Sequence, residues 1–454
     1  MDYGEKNILV LGAGSSGIGA AWVLAQLHAN VVLNDYKPVE FESSTRKKLD
    51  DAGVTIITGR QDNSLLNGVD RIVISPGIAL SIPIVQEAFN RHIEVVSEVE
   101  LAYDVCKSPI LGVTGTNGKT TTTTLLTQVM ESTGLPIKVG GNIGDSLSEA
   151  AFNMPEGGYL IAELSSYQLE TIKSFCPLGA IVLNVTPDHL ARHKTMENYA
   201  AAKARIFMNQ NAENFVVLND DDPIVAAMKK DVHSKILSIS QHHKVECGAY
   251  FEGNTCYAVL DGNVISVIDT EQIHIKGAHN IENILSVIAL TYALGVDVER
   301  IKRTIENFHG VEHRLERVTT IHDVTFYNDS KATNTDSVIK ALDAFDKPVI
   351  LLAGGHDKMT PLEDFMNVVK KNTKEVIFMG EAAERFESVA TKVGVTNIHR
   401  AQSMKEAVEL GYKLAEPGDI VLLSPACSSF DWYSCFEERG DDFKKCVKEL
   451  EERG

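Results

Sequence analysis

No apolar run in this 454-residue chain approaches the roughly 20 residues that a membrane-spanning helix needs. Positive charge is also short: 43 Lys and Arg stand against 62 Asp and Glu, for a formal net charge of −19. That balance excludes nonspecific nucleic-acid binding but not small anions, which single lysines and helix N-termini still attract. The seven cysteines are scattered, odd in number and without a C-x-x-C pair, so neither a disulfide framework nor a zinc site is expected. A reducing, cytoplasmic location follows as the expectation. The polar stretch Met1–Lys6 leads into the apolar run Ile8–Leu11, which is too short for a secretory signal and stops at glycines, and so reads as a strand. Short repeats and low-complexity segments are lacking too. What is present, 44% apolar and 23% charged residues, is an ordinary globular balance. The length leaves room for roughly two to four domains.

Three stretches each alternate strand and helix signals. The first holds the apolar runs Ile8–Leu11, Val31–Leu33, Val54–Ile57 and Ile72–Ile74, with a helical pattern at Ala20–Leu27. The second opens at Ile110–Val113 with a helix from about Lys119. It continues through Tyr159–Ala162, Ala180–Asn184 and Phe215–Leu218 to a β-rich insert from about Lys235 to Ile275. Within the insert, Asp261-Gly262-Asn263 marks a hairpin. A long helix is expected over Asn280–Leu294. The third stretch, from Val311, holds Thr325–Tyr327, Val349–Ala353, Val376–Met379 and Ile420–Leu423 and ends in a helix over Phe436–Glu451. Such alternation predicts an α/β fold of largely parallel sheets, with ligands beyond the C-terminal strand ends.

Gly12-Ala-Gly14-Ser-Ser-Gly17 follows a strand and opens a helix, and Asp35 ends the next strand. These are the elements of a dinucleotide-binding fingerprint. The direct reading is an NAD-binding domain; the loop does not separate NAD from another nucleotide diphosphate, and a turn that needs glycine for geometry alone is the bland alternative.

Gly112-Val-Thr-Gly115-Thr-Asn-Gly118-Lys119-Thr120 follows an apolar strand and precedes a helix, the context of a phosphate-binding P-loop. The strict spacing is not met, because its first glycine would fall on Val113; this is a variant. In it Lys119 reaches a transferable phosphate and the Thr120 hydroxyl can ligate Mg²⁺. Tyr159-Leu-Ile-Ala-Glu163 ends a strand in an acid, the layout of a magnesium-holding carboxylate. His189 ends another strand candidate and is open to a structural or a metal role.

The string from Gly112 to Thr120, with Gly140-Gly-Asn142-Ile-Gly144 and Asn184-Val-Thr-Pro-Asp-His189, resembles the Mur ligase family of bacterial cell-wall synthesis. Val311-Glu-His-Arg314, Asn328-Asp-Ser-Lys331-Ala-Thr333-Asn334, Gly354-Gly-His-Asp-Lys358 and Leu423-Ser-Pro-Ala-Cys-Ser-Ser429 resemble its D-glutamate-adding branch, and Ser75-Pro-Gly77 also fits. Sister ligases and folylpolyglutamate synthases carry other strings at these places.

The resemblance implies three domains: 1–97, Rossmann-like, for the UDP-substrate; 98–310, a P-loop ATPase-type sheet with the β-rich insert; and 311–454, Rossmann-like, for the amino acid. It implies ATP-dependent amide formation through an acyl phosphate, with UDP-N-acetylmuramoyl-L-alanine, D-glutamate and ATP as substrates, two Mg²⁺, and a monomer in the cytoplasm. By resemblance Gly14, Ser15, Ser16, Asp35, Tyr36, Ser75 and Gly77 face the uridine diphosphate instead of NAD, although relatives often carry Thr or Ser at position 36. Asn142 and His189 serve the muramyl-alanine portion. Gly115, Thr116, Asn117, Gly118, Lys119, Thr120, Thr121, Asn283, Arg314 and Asp329 serve ATP. Thr120, Glu163, His189 and Lys203 surround metal, Lys203 as a carbamate formed with CO₂. Lys119, His189, Lys203, Arg314 and Lys331 are the implied catalytic groups. Thr333, Lys358, Ser429 and Phe436 hold D-glutamate; Phe436 is equally readable as a core aromatic at the start of the last helix.

Overall fold

The computed structural model describes residues 2–275, 277–357 and 362–453. β1 (Asn7–Leu11), β2 (Asn30–Asp35), β3 (Thr55–Thr58), β4 (Arg71–Ile74) and β5 (Glu94–Ser97) form a parallel five-stranded sheet in the order β3-β2-β1-β4-β5. Helices cover both faces, which explains the unbroken apolar run of β1: Leu9, Val10 and Leu11 are all fully buried. The strand order reverses between β1 and β4. The loops leaving those two strands, Gly12–Gly17 and Ser75–Gly77, therefore share one mouth.

The second sheet comprises β6 (Ile110–Thr114), β7 (Ile137–Gly141), β8 (Tyr159–Glu163), β9 (Gly179–Val182), β10 (Phe215–Asn219), β11 (Lys235–Ser240), β12 (Gly248–Glu252), β13 (Thr255–Leu260) and β14 (Asn263–Asp269). Its order is β14-β13-β12-β11-β10-β9-β6-β8-β7. The strands from β7 to β12 run parallel, and β12, β13 and β14 close the edge as an antiparallel meander. The expected hairpin is there: Leu260 pairs with Asn263 across Asp261 and Gly262, both with positive φ, the geometry that favours Asp-Gly. β11 lies on the parallel side, so the β-rich insert proper starts later than the sequence pattern predicts. β7 is missing from that pattern because glycine fills its last two positions.

The third sheet holds β15 (Glu316–Ile321), β16 (Val324–Asn328), β17 (Val349–Gly354), β18 (Thr373–Met379), β19 (Ile398–Ala401) and β20 (Ile420–Leu423) in the order β15-β16-β20-β17-β18-β19. All neighbours are parallel except β15 and β16.

The chain divides into two compact units, Met1–His274 with Ala278–Phe308, and Ile275–Gly277 with His309–Gly454. Within the first, the helix Glu98–Val105 joins the first two sheets and buries two carboxylates. Glu98 Oε1 accepts from the Ser148 amide and hydroxyl, each at 2.9 Å. Glu100 accepts the amides of Lys173, Ser174 and Phe175 at 2.8, 2.5 and 3.2 Å. Lys48 adds a bridge from the first sheet's helices to Glu149 at 2.7 Å while lying over the Trp22 ring.

The turn from β1 into the helix Ser15–Gln26 leaves no room at Gly17, where a Cβ would sit 1.8 Å from the Gly12 carbonyl oxygen. Gly17→Ala is predicted to displace the helix start and cost about 1–3 kcal/mol, read as a lower urea midpoint of unfolding.

Candidate active site

The first glycine loop is held open by its own neighbours. Asp35 Oδ2 accepts the Ala13 amide at 2.9 Å and Oδ1 accepts the Lys37 amide at 2.9 Å. The Ser75 hydroxyl donates to the Gly12 carbonyl at 3.2 Å. The helix Ser15–Gln26 begins at Gly14 without a side-chain cap, so its first amides face an exposed Gly14 and Ser15, a natural phosphate seat. Gly14, Ser15, Ser16, Asp35, Ser75 and Gly77 thus share one mouth. Tyr36, next to Asp35, is 70% exposed. Arg192, on a segment of the second sheet, donates to the carbonyls of Pro76 and Ile78 at 2.9 and 3.0 Å and so braces this mouth.

The second loop is built just as closely. Gly115 and Gly118 have positive φ, and Gly118 caps the helix Lys119–Glu131 in a left-handed conformation. A Cβ on Gly118 would lie 2.3 Å from Asn283 Oδ1. Asn283 itself accepts from the Thr122 hydroxyl at 3.1 Å and donates to Asn280 at 3.1 Å, so it fixes the loop from the long helix Ala278–Ala293. Asn184 holds the other side, its side-chain oxygen taking the Asn117 amide at 2.8 Å and its carbonyl the Thr116 amide at 2.9 Å. Thr120 and Thr121 are buried in the first helical turn.

Lys119 Nζ donates to the carbonyls of Gly115 and Thr116 at 3.0 and 2.9 Å. Lys203 Nζ reaches the same Gly115 carbonyl at 2.6 Å and lies 4.6 Å from the Tyr199 ring centroid. Lys203 is 1% exposed, and burial, reinforced by Lys119, pushes it well below the usual ammonium range. Sequence alone reads it as a solvated helix lysine.

Glu163 ends β8 in register with Val113 of β6 and Gly141 of β7, so it stands beside the P-loop. Its Oε1 accepts from Asn142 Nδ2 at 2.8 Å; its Oε2, fully buried, has no hydrogen-bond partner among the described residues. Asn142 is thus tied to the Glu163 carboxylate. Leaving a buried carboxylate oxygen bare is costly, and a hard cation would satisfy it. With the Thr120 hydroxyl in the first turn of the helix that follows β6, the strand paired to β8, the oxygen donors fit Mg²⁺.

His189 has φ 55° and packs against Tyr167 with ring centroids 4.9 Å apart and planes tilted by 56°, its Nε2 3.5 Å from Asp188. His193, unmarked in the sequence reading, is the buried histidine here: its Nε2 meets the Ser166 hydroxyl at 2.9 Å, and burial lowers its pKa. Tyr199, Asn184, Arg192 and His193 are the supporting residues that sequence patterning misses. Only Asn184 carried a signal, as the head of the string ending in His189.

In the second unit, Asp329, Lys331 and Thr333 lie on the loop after β16. Asp329 accepts from the Ser424 hydroxyl at 2.6 Å and from the Leu315 amide at 3.2 Å. Burial pushes its carboxyl up to about 7, while the Ser424 bond and the Arg314 charge pull the other way. Lys331 Nζ stands 5.5 Å from the centroid of the half-buried Phe436 ring, and the Thr333 amide donates to the Lys331 carbonyl at 2.9 Å. The loop after β20 joins them through the Ala426 amide on the Ala332 carbonyl at 3.0 Å, and it carries the buried Ser429. Lys358 lies outside the described residues.

Three family domains match in order: the Mur ligase MurD-like N-terminal domain over residues 6–97, the Mur ligase middle domain over 113–291, and the Mur ligase glutamate ligase domain over 313–427. The UDP-N-acetylmuramoylalanine–D-glutamate ligase of Thermoanaerobacter pseudethanolicus is 42% identical over 452 residues, 99% of this chain and 100% of that protein. The chain belongs to the Mur ligase family. The protein of the same name from Clostridioides difficile is 40% identical to this Mur ligase over 455 residues, 99% of this chain and 100% of its own. The UDP-N-acetylmuramate-alanine ligase MurC of Thermotoga maritima shares the fold, with a TM-score of 0.59 at 18% identity, over 98% of this Mur ligase and 99% of that chain.

Asp329 supplies a pH test. A carboxyl raised on folding binds its proton more tightly in the native state, so its contribution is intact below the unfolded value near pH 4 and is lost as pH rises through about 7. Between pH 5 and 8 the wild type is predicted to lose stability relative to Asp329→Asn, by about 2–3 kcal/mol, since only the span from pH 5 to about 7 contributes. Paired urea titrations at the two pH values measure it.

Proposed function

We propose that this Mur ligase activates the carboxylate of UDP-N-acetylmuramoyl-L-alanine with ATP and joins it to D-glutamate, a step in peptidoglycan precursor synthesis. The observation that carries the reading is the end-to-end identity of 42% with a ligase of that name. An NAD-dependent enzyme would leave the loop Gly112–Thr120 without a use, and a nucleotide-binding regulator would need neither Lys331 nor Lys358. We assign the UDP-substrate, ATP and amino-acid functions to 1–97, 98–310 and 311–454, acting as a monomer in the cytoplasm.

A carboxylate is a poor electrophile. Its oxygen attacks the γ-phosphorus, ADP leaves, and the acyl phosphate then accepts the D-glutamate amine, expelling phosphate and forming the amide. Lys119 and Arg314 spread the negative charge that builds on the phosphoryl oxygens. Gly115, Thr116, Asn117, Gly118 and Thr121 cradle the phosphates, with Asn283 and Asp329 on the nucleotide side. Thr120, Glu163, His189 and Lys203 would hold two Mg²⁺, which when bound neutralise the phosphate oxygens. The mouth of Gly14, Ser15, Ser16, Asp35, Tyr36, Ser75 and Gly77 takes the uridine diphosphate, and Asn142 and His189 the muramyl-alanine portion. Lys331 acts with Asp329 on the nucleotide and metal side, and Thr333, Lys358, Ser429 and Phe436 receive the amino acid.

Lys203 acts here as a carbamate. An ammonium repels Mg²⁺, whereas a neutral amine can attack CO₂, forming the N–C bond and releasing a proton, and the product offers two anionic oxygens. The depressed pKa of Lys203 supports this, because it favours the neutral amine.

Phosphate release from ATP is predicted to require the UDP-substrate together with D-glutamate, and not L-alanine or L-lysine. Lys119→Ala is predicted to lower turnover by about 10²–10³ or more while calorimetry still detects the UDP-substrate; near-normal turnover would remove Lys119 from the mechanism. Lys203→Ala is predicted to lose activity and regain part of it with short carboxylic acids. Full activity in that variant excludes the carbamate.

A further inference from the structure

Arg439 sits in the first turn of the helix Phe436–Glu451 and is 2% exposed. Its Nε donates to the Ser330 hydroxyl at 3.0 Å and its Nη2 to the Ser330 carbonyl at 2.8 Å. Its Nη1 is buried with no hydrogen-bond partner among the described residues. No carboxylate bonds it among the described residues. Asp431 acts on it only through space and receives the Glu381 amide at 3.1 Å. Burial lowers the guanidinium to about 10, against the pull of Cys427, Asp431 and Tyr433.

A buried cation without a bonded counter-ion costs several kcal/mol, and its place near the positive end of a helix adds to that. An apolar side chain of similar volume would pack there at less cost. The placement is what the cation alone provides. Nη1 abuts Gly355, where a Cβ would lie 3.0 Å from it and 3.1 Å from Cys427. Gly355 opens the loop after β17, Cys427 lies on the loop after β20, and Ser330 is on the loop after β16. Those loops carry or lead to Lys331, Thr333, Lys358 and Ser429. The Ser330 hydroxyl passes the contact on, donating to the Phe436 carbonyl at 2.7 Å. One buried guanidinium thus bonds the loop after β16 and lies against the loop after β17, with the loop after β20 beside them.

We propose that Arg439 is a positioning and specificity residue for the amino-acid substrate: it pins Ser330, and its unneutralised charge beneath the three loops favours an amino acid with an anionic side chain. It is shielded from solvent, so it acts without touching the substrate. Its field is weakly screened by salt for the same reason. The inference rests on the ligase reading above and adds to it the source of the preference for a dicarboxylate.

The test is steady-state kinetics of the full chain with saturating ATP and UDP-N-acetylmuramoyl-L-alanine and varied D-glutamate. Arg439→Gln keeps donors for Ser330 but removes the charge, and Arg439→Lys keeps the charge but removes the fork. Arg439→Gln is expected to raise the D-glutamate KM about tenfold or more, with the KM values for ATP and the UDP-substrate within about twofold of wild type. Arg439→Lys is expected to recover most of the D-glutamate KM. Arg439→Met is expected to match Arg439→Gln in KM without a lower melting temperature. A D-glutamate KM unchanged in Arg439→Gln, or all three KM values rising together as stability falls, overturns the proposal. Should Arg439→Met not fold, the Gln and Lys variants decide. A wild type that consumes ATP with another amino acid and ignores D-glutamate overturns the ligase reading itself, and this inference with it.

Discussion

Two ammonium groups share one carbonyl oxygen, and the rest of the central site follows from that crowding. Lys119 and Lys203 both reach Gly115 O, from the start of one helix and from the last turn of another. Like charges so placed repel unless one sheds its proton or an anion comes between them. Each outcome has a chemical use: a phosphate draws on Lys119, and a neutral Lys203 becomes a nucleophile. The loop conformation that offers Gly115 O to both depends on the positive φ of Gly115 and Gly118, and on Asn184 and Asn283 bracing it from either side.

The same economy of space shapes the flank of the loop. β7 ends in Gly140 and Gly141, and a Cβ on Gly141 would lie 2.4 Å from the Glu163 carbonyl oxygen. The missing side chains let the edge strand close on β8, so that Asn142 reaches the Glu163 carboxylate and turns one of its oxygens toward the P-loop side with its twin occupied. Backbone proximity here sets the chemistry of a carboxylate.

Much of this is legible in the residues themselves. Strand–helix alternation marks three mainly parallel sheets, and the two glycine loops mark where phosphates belong. Elements whose residues carry a second signal are harder to read. Gly140 and Gly141 carry no strand signal because glycine is poor in strands, yet they end β7. β11 reads as part of the hairpin insert because its apolar and polar residues alternate, though it pairs in parallel on both sides. Lys203 and Arg439 carry no local mark of burial, since their surroundings come from segments about ninety and more than a hundred residues away. Tertiary contact decides such positions, and a single sequence lists only neighbours along the chain.

The helix Glu98–Val105 bears on how the first unit holds together. Its two sunken carboxylates face opposite partners, Glu98 toward Ser148 and Glu100 toward the amides of residues 173–175. A buried carboxylate deprived of its donors is costly, so these second-sheet segments cannot peel from the helix without a large penalty. Both glycine loops lie in the one compact unit that this helix runs through, so melting of the helix would loosen the second sheet's segments around it.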